Sequence, residues 1–152
     1  MRALGLNCAA NTIYLVTLED GKILEDDPLR LGMPDLEAAS TQLRAFISTF
    51  GSALIDLAVE RIGLVLPEST YQTTYKQLAD RAAAETLIRL SALEQQVRFE
   101  RLTRQRVRAA LKLGQAGSLS SLVEKVVSAG KEPYWRQGRD LAAVAAFAVV
   151  KL

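Results

Sequence analysis

In residues 2–17 (RALGLNCAANTIYLVT), Leu4, Leu6 and Cys8 alternate with smaller residues. After a break at Ala9, Ala10 and Asn11, the apolar run Ile13, Tyr14, Leu15, Val16 resumes. Two strand-like runs split by a short polar break predict a β-hairpin, and Asn11 tolerates the left-handed backbone such a turn often needs. Asn7 departs from the pattern. It is a polar side chain near the end of a core strand, where an amide must reach a site or find a partner. Glu19-Asp20-Gly21-Lys22 supplies an Asp-Gly hairpin turn into a third strand at Ile23 and Leu24, ended by Asp26, Asp27 and Pro28.

Helical spacing follows. Residues 29–34 read as a connection and Asp35 as an N-cap. Leu36, Ala39, Leu43, Phe46, Ile47 and Phe50 then repeat at the period of one helix face, and Gly51 ends that helix. Residues 53–62 (ALIDLAVERI) form a short apolar run suited to a strand covered on both faces, with Glu60 near its C-terminal end, where sites of open sheets gather. Residues 63–70 read as a loop. A long helix is expected over residues 71–93, with Tyr75, Leu78, Ala82, Leu90 and Leu93 on its apolar side. Residues 96–102 make another strand, and Thr103 caps a helix that runs to Lys112 and stops at Gly114. Leu119, Leu122, Val123, Val126 and Val127 form the apolar face of a short helix. Residues 130–138 are irregular, and the last helix, residues 138–152, is apolar nearly all round and therefore buried. Three antiparallel strands followed by alternating helices and strands predict a mixed α/β sheet covered on both faces, in a single domain spanning residues 1–152.

Composition narrows the chemistry. The 152 residues are 49% hydrophobic and 24% charged with net charge +2, globular values that name no partner. There is no histidine, which removes the usual neutral-pH acid/base and the commonest zinc ligand. Ser118, Ser120 and Ser121 therefore have no imidazole to activate them. One cysteine, Cys8, excludes an internal disulfide and fits a reducing cytoplasm. No leader-like segment opens the sequence, so no signal peptide is expected. The most apolar stretch, residues 141–150, is far shorter than the ~20 residues of a membrane span.

Taken in order, these segments resemble the ribonuclease H-like superfamily, and within it the RuvC-like branch. GLNCAANTIYLVTLEDGKI stands where the family has its acid-bearing first hairpin, and LAVERI where it has an acid at the end of a later strand. VRFERLTRQRVRAALKLG is similar to the family's next strand, Thr-containing turn and basic helix, and RDLAAVAAFAVV to its closing helix. The resemblance implies a five-stranded mixed sheet and a nuclease that cuts phosphodiesters with two Mg2+ or Mn2+ ions held by carboxylates. Carried over by position, it puts the catalytic and metal-binding roles on Asn7, Glu60 and Asp140, with Gln137 one helical turn before the last. Two of these four positions are amides, which bring no negative charge, so binding of the second ion is expected to be severely weakened.

A basic stretch is the second candidate site. Arg101, Arg104 and Arg108 follow helical spacing and suit phosphates, while Trp135 and Arg139, with Tyr134 and Arg136, suit single strands. DNA or RNA is thus the expected partner, with cleavage weakened or lost. The alternative is a non-catalytic scaffold that self-associates as a homodimer, through an outer strand or the residue 119–127 helix. An actin-like nucleotide binder ranks last, because the glycine-rich phosphate loops are missing. The acidic residues Glu19, Asp20, Glu25, Asp26 and Asp27 lack calcium-loop spacing and read as a solvated hairpin tip.

Overall fold

The computed structural model describes residues 1–35, 37–68, 73–128 and 133–152. The expected helical residue Leu36, the helix start at Tyr71 and the loop residues 129–132 lie outside the described residues.

Turn chemistry builds the first three strands. β1 (Arg2–Ala9) and β2 (Thr12–Glu19) pair antiparallel with Ala9 opposite Thr12. The two-residue turn between them is Ala10-Asn11, both with positive φ, the backbone that matches the twist of paired strands. Asp20-Gly21 repeats the device between β2 and β3 (Lys22–Leu24). Alternation along β1 divides its side chains between two cores. Leu4, Leu6 and Cys8 join Ile13 and Leu15 beneath α1 (Ser40–Asp56) and α2 (Tyr75–Glu94). Ala3 joins Val16 and Tyr14 beneath α4 (Asp140–Val150).

The sheet is mixed, with order β3-β2-β1-β5-β6. β5 (Arg61–Val65) runs parallel to β1, and β6 (Arg98–Leu102) parallel to β5. A sixth strand, β4 (Arg30–Gly32), pairs with the start of β2, in a stretch expected to be only a connection. Past β6, Thr103 caps α3 (Arg104–Ala110) by accepting from the Arg106 backbone N–H at 3.1 Å, as its position predicted. The apolar face at Leu119, Leu122, Val123 and Val127 forms a 3-10 turn (Ser120–Lys125) packed into the α4-side core. Those residues are buried, so they offer no surface for self-association.

Several expectations are corrected. Gly51 does not end α1, which continues to Asp56 because Phe50, Ala53, Leu54 and Leu57 keep the helical period and are buried together. Residues 53–62 are thus the last turn of that helix, a connection and only the first two residues of the strand, which runs on to Val65. Gly63, expected in a loop, sits inside β5. A Cβ there would come within 2.9 Å of the Ala145 carbonyl oxygen, so this strand position requires glycine for α4 to pack. Asp35 does not cap α1, whose N-cap is Ala39; its Oδ1 instead accepts from the Glu37 backbone N–H at 3.0 Å. On α2 the buried side is Asp80, Ala84, Ile88, Ser91 and Ala92. Tyr75, Leu78, Ala82, Leu90 and Leu93 face outward.

α4 matches its prediction. Leu141 to Ala146 are all buried, as are Ala148 and Val149. Its alanines bring the helix axis close to the sheet at Gly5, where a Cβ would overlap the Ala142 carbonyl and stand 2.5 Å from the Ala146 nitrogen. That packing fixes the start of α4 against the carboxyl ends of β1 and β5.

Candidate nucleic-acid interface at the sheet's carboxyl rim

Parallel register determines what meets at this rim. Asn7 is level with Val65 on β5, and Val65 with Leu102 on β6. The chain therefore projects Glu68 just beyond β5 and Arg104 just beyond β6, while α4 begins beside them with Asp140. Asn7, Glu68, Arg81, Arg104, Ser120, Arg136, Gln137 and Asp140 line one cleft of about 430 Å³.

Each side chain has a defined hold. Asn7 is nearly buried, and its Nδ2 donates to the Gly138 carbonyl at 3.1 Å. Gly138 forms a kink within residues 135–139, with a non-helical φ of +154°, and a Cβ there would be 2.5 Å from Tyr14 Cδ2. The amide thus ties β1 to the segment that launches α4. Arg104 donates through Nε to the Leu66 carbonyl at 3.2 Å and through Nη1 to Glu68 Oε1 at 3.3 Å. Burial lowers the guanidinium's pKa, opposed by the charges of Glu68 and Asp140. Asp140 Oδ1 accepts from the Leu141 backbone N–H at 2.7 Å, and burial raises the carboxyl's pKa above the ordinary value. Asp140 is the first residue of α4, not its cap; the N-cap is Arg139.

Glu60 is not part of this cluster. It precedes β5, at the opposite end of the sheet, where its Oε1 accepts from the Arg2 backbone N–H at 3.3 Å. Five strand residues at ~3.3 Å each put that level roughly 16 Å from Asn7. The acid that follows the strand is Glu68. Its signal was present in the sequence as an apolar run, Ile62 to Leu66, followed by Pro67 and an acid, but that run was divided at Gly63.

The basic candidates also separate. Arg108 is buried and donates to the carbonyls of Gly114 and Gly117, so it fastens a loop and does not face solvent. Arg139 is fully buried and donates to the Leu15 and Pro133 carbonyls at 3.2 and 3.1 Å. Both are corrections: backbone carbonyls hold these guanidinium groups inside the fold, with Glu25 Oε2 also 3.8 Å from Arg139 Nη1, which no charge pattern reveals. Trp135 is 9% exposed and packs in the α4-side core, so most of its ring is spent on the core and not offered to a base. Arg101 lies at the end of β6, paired with Glu85, and lines an adjoining cleft of about 370 Å³ with Cys8 and Leu78. Burial pushes the Cys8 thiol up to about 11, consistent with a small core side chain. Arg104 is the predicted arginine that reaches the rim cleft. Arg81 and Glu68 were not singled out, while Arg136 was named only beside Trp135 and Ser120 only as a serine without an activating imidazole; Arg81 comes from α2, and only the fold brings it there.

The donor set does not fit a two-ion metal centre. Asn7 and Gln137 are neutral and Glu68 is engaged by Arg104, which leaves Asp140 as the one carboxylate of the lining not held by a cation within hydrogen-bond distance among the described residues. Among the described residues, no group of three or more Cys, Asp or Glu side chains is placed to hold a metal ion. The arrangement can instead present a cation and several dipoles to an anion.

The sheet order, its antiparallel start and parallel finish, and a helix beginning beside the carboxyl rim define the RuvC-like form of the ribonuclease H-like fold. The comparisons agree. A Thermus thermophilus RuvC structure superposes with TM-score 0.75 at 15% identity, covering 99% of this chain and 94% of that one. The structure of T. thermophilus RuvC in complex with a Holliday junction substrate gives TM-score 0.66 at 15% identity, covering 99% and 90%. No protein-family model and no curated protein sequence matches the chain. Among the described residues, no helix is long and apolar enough to cross a membrane.

Proposed function

We propose that this chain binds nucleic acid at the carboxyl rim of its sheet and that its metal-dependent cleavage is weak or lost. The observation that carries this reading is the charge of the cleft: Arg81, Arg104 and Arg136 line it against two carboxylates, Glu68 and Asp140. Polyphosphate backbones are held by such clustered guanidinium groups. The RuvC fold supports it, since the T. thermophilus protein is described on a Holliday junction. Arg101 extends the basic rim along the adjoining cleft. Asn7 is proposed as a neutral contact of the bound strand, and Glu68 takes the place beside Asp140 first given to Glu60. Mg2+- or Mn2+-dependent hydrolysis requires carboxylates that this rim has only in part. A cytoplasmic setting is proposed on the single cysteine. The test is an anisotropy titration with labelled single-stranded, duplex and four-way DNA and RNA at several salt concentrations, with cleavage followed in manganese. Salt-sensitive binding with little or no cleavage is expected. Binding that does not change with salt contradicts the reading.

A homodimer is a second proposal. Tyr75, Leu78, Leu90 and Leu93 stand exposed along α2, with Tyr75 87% and Leu93 74% accessible. Rows of large apolar side chains on one helix mark interaction surfaces, and this row takes the place of the buried residue 119–127 face, with an outer strand the other surface proposed for self-association.

A further inference from the structure

Resting on the nucleic-acid reading above, we propose that the rim cleft takes a backbone phosphate directly on Arg104, whose guanidinium supplies the positive charge that the family resemblance assigns to metal ions. The cleft lining holds three arginines and two carboxylates, an excess of one positive charge, before any ion enters. Arg104 is positioned to use it. Its Nε and Nη1 are anchored on Leu66 and Glu68, and Nη2 makes no hydrogen bond among the described residues. A guanidinium held in one orientation matches the paired oxygens of a phosphodiester. Partial burial makes the cation poorly hydrated, so an incoming anion restores interactions that water does not provide.

The same residue works against a divalent ion. It occupies Glu68 Oε1 and lies close enough to Asp140 to attract its carboxylate. A metal entering between those acids would meet a fixed positive charge. Asn7, Gln137 and Ser120 add neutral dipoles to the lining and ask for no counter-ion. In a metal-centred site the carboxylates are required for binding. In a site centred on Arg104 they oppose it, apart from the anchoring of Arg104 by Glu68.

Affinity for a labelled four-way junction and a labelled single strand, measured by anisotropy in EDTA and in Mg2+, separates the two. Affinity in EDTA at least as high as in Mg2+ is expected, since Mg2+ acts here only as a competing counterion. Asp140→Asn, which removes a negative charge from the lining, tightens binding. Arg104→Gln weakens it by about tenfold, the scale of one charged hydrogen bond, with melting temperature recorded to establish that the variant folds. Loss of binding in EDTA, or weaker binding by Asp140→Asn, overturns the proposal while leaving nucleic-acid binding intact. If Arg104→Gln does not fold, the EDTA comparison on the unaltered protein still decides. Absence of binding in either buffer overturns the nucleic-acid reading itself, and this inference with it.

Discussion

Asp140 shows how a single residue sets the character of the rim. Burial raises its carboxyl pKa, so the folded chain holds this proton more tightly than the unfolded chain does. As pH rises from about 4, the ordinary carboxylate range, the unfolded state releases the proton first, and stability is lost until the raised folded value is passed. The cost of the buried charge is then fully present at neutral pH. Asp140→Asn keeps an oxygen that can accept from the Leu141 N–H and removes that cost. The variant is expected to be at least as stable as the parent at pH 7 in urea denaturation, with the difference closing toward pH 4. A variant less stable at pH 7, with a deficit that closes as pH falls to 4 and below, would mean the attraction of Arg104 outweighs burial. Asn7 makes the complementary point. Its polarity was legible in the sequence as an exception on a core strand, but its partner, the Gly138 carbonyl, lies 131 residues away and belongs to tertiary structure.

Elements were legible where local chemistry decides them. The turns at Ala10-Asn11 and Asp20-Gly21, the Thr103 cap and the buried closing helix all followed from side chains within a few residues of each other. The stretch from Ala53 to Val65 did not, because a short apolar run fits the end of a buried helix as well as a strand. The deciding fact is non-local: α4 presses so closely on the sheet that β5 must carry Gly63. The error moved Glu60 to the wrong end of the sheet and hid Glu68. The arginines failed for a related reason, since Arg108 and Arg139 are held by carbonyls that no sequence pattern brings beside them. The close approach of α4 is itself testable. Gly5→Ala places a Cβ against the Ala142 and Ala146 backbone, and backbone cannot move aside as a side-chain end can. The expected loss is about 3 kcal/mol or more in urea denaturation. A loss under about 1 kcal/mol, as for ordinary surface changes, would mean that α4 shifts freely.

For the whole molecule, the sheet separates two surfaces. Its carboxyl rim gathers the charged cleft, and the outer side of α2 carries the exposed apolar row. If α2 is the homodimer surface, Leu93→Glu reduces the mass seen by light scattering to that of one chain while the circular dichroism spectrum and melting temperature stay unchanged. A parent protein that is monomeric at micromolar concentration contradicts that proposal and leaves the rim untouched. The other end of the sheet, with Glu60, Arg61 and Arg98, is the internal control for the rim. Arg98 is exposed and held by Glu100 at 2.9 Å, as far along the strands as β6 allows from Arg104. The most direct measurement is therefore the salt dependence of single-strand and four-way junction binding for the parent, Arg136→Gln and Arg98→Gln. Binding at the carboxyl rim predicts that Arg136→Gln weakens affinity and lowers the salt slope by about one, while Arg98→Gln changes neither. Equal losses from both variants, or a loss from Arg98→Gln alone, would contradict it.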